Sequence, residues 1–79
     1  MSISGFAFES ASLTVKSGTK VTVANNDSTA HTFTADDGHS FDTGDIDPGS
    51  SATLKLSKAG TYRYHCSIHP FMHGTLVVK

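Results

Sequence analysis

Between Leu13 and Val78 the apolar residues recur at every second position, and chain breakers cut each run short. Leu13 and Val15 alternate with polar neighbours, as do Val21 and Val23, then Ala52, Leu54 and Leu56, and finally Leu76 and Val78. A period of two belongs to a strand whose two faces meet different surroundings. Between the runs stand Ser17-Gly18, Asn25-Asn26-Asp27, Asp36-Asp37-Gly38, Pro48-Gly49 and Ala59-Gly60, all combinations that favour turns. No segment sustains a helical period. The pattern predicts an all-β chain: seven or eight short strands in an antiparallel β-sandwich with Greek-key connections, forming one domain over residues 1–79. The stretch 36–48, with only Phe41 and Ile46 as apolar anchors among acids and glycines, is expected to be a loop with at most one short edge strand.

A chain of 79 residues buries a thin core, and domains of this size often carry a disulfide or a metal as a staple. The single cysteine cannot form an internal disulfide, which leaves a metal as the natural candidate. Six of the seven acids, Asp27, Asp36, Asp37, Asp42, Asp45 and Asp47, lie in the middle of the chain, and the bases are scattered. There is no basic patch of the kind nucleic acid requires. No apolar run approaches the roughly 18 residues of a membrane span. The start, MSISGFAF, lacks the basic and apolar segments of a leader. Two settings therefore stay open: a cytoplasmic protein, or a mature or excised domain from the periplasm or another extracytoplasmic space.

The chemistry concentrates in YHCSIHPFMHG, residues 64–74. Strand parity puts Tyr62, Tyr64 and Cys66 on one face and Thr61, Arg63 and His65 on the other. Two tyrosines mark the apolar face, so Cys66 points inward and His65 outward. After Cys66 a loop begins. His69 lies three residues on and Met72 three beyond that, and a loop that turns back can bring all three side chains together. Pro70 stiffens the turn, and Gly74 is expected to permit re-entry into the last strand. A fourth donor must come from elsewhere. His31 shares an apolar face with Phe33 and Ala35, whereas His39 sits in an acidic turn where exposure is expected; His31 is therefore preferred. His73 reads as a surface residue. Thiolate, two imidazoles and a thioether form a soft set. A His₂Cys trigonal arrangement with a weak axial methionine is that of electron-transfer copper, while structural zinc gains little from a thioether.

At this point the chain resembles the cupredoxins, the type 1 (blue) copper proteins, and most closely their amicyanin and plastocyanin branch. The resemblance rests on GTYRYHCSIHPFMHGTLVV and on VTVANNDSTAHTFTADDG upstream, and spans about residues 11 to 79. It implies one copper ion, Cu(II)/Cu(I), with His31, Cys66 and His69 as equatorial ligands and Met72 as the axial one. It also implies a small electron carrier, not an enzyme, that docks larger redox proteins near His69, Pro70 and Phe71; a monomer is expected. The alternative is a copper carrier or storage domain that binds the metal without shuttling electrons. Use of Cys66 as a nucleophile with His31 or His69 as base needs an accessible thiolate, against which the inward cysteine argues. Three departures stand out. Thr32 replaces the asparagine that often follows the first histidine, and is expected to alter the tie between the ligand loops without losing it. Val23 replaces a common tryptophan, and His73 a common basic residue.

Overall fold

The computed structural model describes residues 1–9 and 11–79. Each β-prone run bounded by breakers forms a strand: β1 (Ser2–Ser4), β2 (Ala7–Phe8), β3 (Ser12–Val15), β4 (Thr19–Asn25), β5 (Thr34–Ala35), β6 (Ser51–Leu56), β7 (Gly60–His65) and β8 (His73–Val78). They form two four-stranded sheets, ordered β2-β1-β4-β6 and β3-β8-β7-β5. Among the described residues no helix is long and apolar enough to cross a membrane.

The β-sandwich is the expected architecture, with one refinement: both sheets are mixed. β1 runs parallel to β4, and β3 runs parallel to β8 with Leu13 opposite Leu76 and Val15 opposite Val78. Antiparallel order follows from short hairpins, but these partners are joined through long stretches of chain, which leaves their direction free. The remaining pairings are antiparallel. The stretch 36–48 adds no strand; two isolated bridges, His31 with Ile46 and Thr34 with Asp42, pin it to the sheet.

The alternating residues meet between the sheets. Val21, Val23, Phe33, Tyr64, Leu76 and Val78 are buried with Ile3 and Phe8 in one cluster. Leu13, Val15, Ala52 and Leu54 are only partly buried, because β3 and β6 are edge strands with one neighbour each. At the centre Phe33 stacks on Phe41 at 5.2 Å and packs against Tyr64 at 4.4 Å, while Phe8 meets Tyr64 edge-on at 4.9 Å. Offset and edge-on contacts are the favoured aromatic geometries.

Gly74 proves to serve packing more than chain reversal. It lies within β8 opposite Tyr64. A Cβ there would come 2.5 Å from the Tyr64 hydroxyl oxygen and 2.7 Å from the Ala11 carbonyl oxygen. Gly74→Ala is therefore expected to cost about 1–3 kcal/mol by overpacking, read from urea unfolding. An unchanged midpoint would show that the Tyr64 ring yields freely.

Burial pushes the Tyr64 phenol up from 10.0 to about 12. The unfolded chain loses that proton first, so stability should hold below pH ~10 and fall as pH rises toward about 12. Urea midpoints measured at pH 9 and pH 11, compared with those of Tyr64→Phe, check this: the wild-type decline should exceed the variant's.

Candidate metal centre

His31 enters the core because its backbone is paired on both sides of the Ile46 bridge. Its N–H donates to the Ile46 carbonyl at 3.2 Å, and the Ile46 N–H donates back at 2.7 Å. Cys66 follows the last residue of β7 on the inward face, and both side chains are wholly buried. The loop after Cys66 closes on itself. The Met72 N–H donates to the His69 carbonyl at 2.9 Å, and the Cys66 N–H donates to the Met72 carbonyl at 3.0 Å. Met72 is thereby drawn into the core and buried.

Three donor atoms converge. Cys66 Sγ lies 3.6 Å from His31 Nδ1 and 3.9 Å from His69 Nδ1, and the two nitrogens are 3.2 Å apart. They form a group of side chains able to hold a metal ion, with Cys66 and His31 buried and His69 half-buried. The centre of that triangle stands about 2.1 Å from each corner, close to metal–imidazole and metal–thiolate bond lengths. The donors fit a soft or borderline ion, and the buried Met72 stands in the same closed loop.

Thr32 fills the place of the missing asparagine. Its N–H donates to Cys66 Sγ at 3.3 Å, and its hydroxyl oxygen accepts the Ser67 N–H at 2.8 Å. The hydroxyls of Thr32 and Thr34 bond at 2.9 Å, and Thr34 donates to Asp42 Oδ1 at 3.0 Å. The tie between the two ligand segments is thus kept through a chain of threonines. Where such a sulfur holds a metal, a hydrogen bond to it is one of the levers that set the redox potential.

The other histidines stand outside the donor cluster. His65 lies on the outer face, where its Nδ1 contacts Asp36 Oδ1 at 2.5 Å. His73 and His39 are exposed. Two neighbours of the site escaped the sequence reading. Asp27 Oδ2 lies 2.8 Å from His31 Nε2, an outer carboxylate that fixes which ring nitrogen faces inward. The Phe6 amide first, then His31 and the Gly5 amide, hold the Asp27 carboxyl below the usual carboxylate range. Phe6 sets its ring edge-on to His69 at 5.1 Å and to His31 at 5.7 Å. Asp27 sits four residues before His31, a spacing that could have flagged it, but it lies in a turn where aspartate is commonplace. Phe6 precedes the stretch that carries the family resemblance.

A mixed β-sandwich with a buried cysteine–histidine site at one set of loops defines a copper-binding cupredoxin, and the model of the cupredoxin-like domain matches residues 2–78. The chain belongs to that family, and its fold and donor set support one copper ion. Amicyanin is among the proteins it resembles. It is 56% identical to amicyanin of Paracoccus denitrificans over 27 residues, 34% of this chain and 21% of that protein. Among solved structures, a reduced tryptophan-to-tyrosine variant of amicyanin superposes with a TM-score of 0.89 at 30% identity, covering 99% of this chain and 78% of the other. The reduced Cu(I) form at pH 4 of a proline-to-glycine variant gives 0.88 at 32% identity over the same shares.

Proposed function

We propose that this protein is a one-electron carrier with a type 1 copper site, whose ion His31, Cys66, His69 and Met72 would hold. The observation that carries the reading is the buried triangle of one thiolate and two imidazoles, closed by a loop that also holds a methionine. Copper bound there would supply the reversible Cu(II)/Cu(I) couple. The protein's part is to hold its donors still. His31 is fixed by its backbone bridge and by Asp27, and Cys66 by the Thr32 N–H, so little rearrangement accompanies a change of charge. His31 and Cys66 are wholly buried in the core, out of reach of bulk water. Catalysis of a substrate reaction forms no part of this role, and one domain acting as a monomer suffices for it. The likeness to amicyanin supports a periplasmic or otherwise extracytoplasmic setting.

The test is direct: add Cu(II) to the purified protein and record the visible spectrum, then cycle it with a mild reductant and oxidant. An intense thiolate-to-copper band that bleaches and returns supports the carrier. A band that does not cycle supports copper storage, and a colourless metal-loaded protein supports structural zinc.

Electrons would enter through the half-buried His69. The exposed rings of Phe6 and Phe71 meet His69 edge-on, and the exposed Ile68 and Pro70 flank it in the chain. With a net charge of −1, long-range steering is weak and docking is short-range and apolar. Phe71, 67% exposed, can be changed without disturbing the core. Phe71→Asp is expected to slow electron transfer with a protein partner by at least ~10-fold while leaving the visible spectrum intact, as loss of an aromatic anchor does at interfaces. Equal rates would put the docking face elsewhere.

A further inference from the structure

The β1–β2 hairpin turns through Gly5 and Phe6, whose φ angles are 61° and 59°. Two successive left-handed residues make the tight two-residue turn that asparagine, aspartate and glycine ordinarily occupy. Gly5 suits it. Phe6 is the only non-glycine residue with positive φ among the described residues, and a bulky side chain there is strained. Simple burial does not explain the choice, because the ring remains 46% exposed. Where the ring goes does: edge-on, at interplanar angles of 84° and 83°, it covers both His31 and His69.

One carboxylate holds this turn. Asp27 Oδ1 accepts the Gly5 N–H at 2.8 Å, and Oδ2 accepts the Phe6 N–H at 2.9 Å. Oδ2 also meets His31 Nε2. Because His31 Nδ1 faces the other donors, Nε2 carries the hydrogen and donates it. Asp27 is itself anchored. Its N–H donates to Asn25 Oδ1 at 3.0 Å, and the wholly buried Asn25 donates from Nδ2 to the carbonyls of Thr29 at 2.9 Å and Ile46 at 2.8 Å. Ile46 is the bridge partner of His31, so the bonds close on themselves.

We infer that Asp27 is a positioning residue that seats Phe6 as a fixed lid across the two imidazoles while it orients His31, so that lid and ligand are held by one group. The seating stands on the hydrogen bonds alone; its redox consequence rests on the copper reading. The lid narrows access to the imidazole face. Small hydrophilic redox reagents therefore exchange electrons with the site more slowly than an open histidine edge would allow.

The seating is tested by NMR on the zinc(II)-loaded protein, comparing wild type with Asp27→Asn, whose side chain is isosteric but cannot accept all three bonds. In the wild type, Phe6 ring protons should show contacts to both histidine rings, and the Gly5 and Phe6 amides should exchange slowly. In Asp27→Asn, those contacts should vanish and both amides should exchange at least tenfold faster. Phe6→Gly provides the second arm: it relieves the strained turn and keeps the Asp27–His31 bond. Its thermal midpoint should not fall, the His31 Nε2–H should remain protected, and the copper protein should react several-fold faster with hexacyanoferrate. Wild-type contacts and exchange rates in Asp27→Asn, or an unchanged hexacyanoferrate rate in Phe6→Gly, overturn the inference. A wild-type protein without the thiolate-to-copper band would sink the copper reading separately, and the zinc arm would still decide the seating.

Discussion

On the copper-carrier reading, Cys66→Ser will take up copper(II) without the intense visible band expected of the wild type, and its affinity for the metal will fall by at least roughly a hundredfold. Removing even an outer partner of a metal ligand typically costs 10- to 100-fold, so loss of the ligand itself should cost no less. The serine hydroxyl is smaller and harder than thiolate and stays protonated at neutral pH, so it neither donates charge to copper nor attracts its reduced form. The Thr32 N–H that donates to Cys66 Sγ at 3.3 Å would face a weaker acceptor. Spectral titration with Cu(II), alongside competition by a chelator of known affinity, measures both effects. Retention of the band in Cys66→Ser would place the thiolate outside the metal's coordination.

The second large effect lies in the core beside the site. Phe33 is wholly buried and packs against Phe8, Phe41 and Tyr64 at ring separations of 5.8, 5.2 and 4.4 Å. Phe33→Ala should remove about 3–5 kcal/mol, a large part of the 5–15 kcal/mol that small domains typically possess. Because Phe33 lies between the segment that ties Cys66 and the strand β5, the metal-free variant should lose the site along with the fold. Metal that binds only the folded form should restore part of the loss. Urea unfolding with and without zinc or copper reads both. A metal-free variant within about 1 kcal/mol of wild type would show that the surrounding rings collapse into the space.

How far the sequence revealed this molecule depends on what each element answers to. The alternating runs announced strands because one face of each is apolar, and parity alone turned Cys66 inward and His65 outward. Direction within the sheets was not legible: a parallel partner such as β8 for β3 lies at the other end of the chain, and alternation is the same whichever way a strand runs. Three donors were legible as a cluster, and His31 from its apolar neighbours Phe33 and Ala35. Asp27 and Phe6 were not. The two amides aimed at the Asp27 carboxylate belong to a turn 21 and 22 residues upstream, and the spacing of Asp27 from His31 is too common in turns to single it out. Gly74 was visible as a special position for the wrong reason, since the space demanded by the Tyr64 ring comes from a facing strand.

The parallel pairing of β3 with β8 also bears on how the chain reaches this form. It joins Ser12 to Thr75 and Val15 to Val78, partners separated by most of the polypeptide. Pairings of such high contact order are slow to form, because the entropy of closing a long loop is lost before any contact repays it. β8 begins at His73, directly after Met72, and the donor loop hangs between β7 and β8. His31 lies far upstream of Cys66, and the loop between β7 and β8 takes shape only when β8 docks. Docking of β8 therefore closes the sheet and shapes the donor loop in a single event.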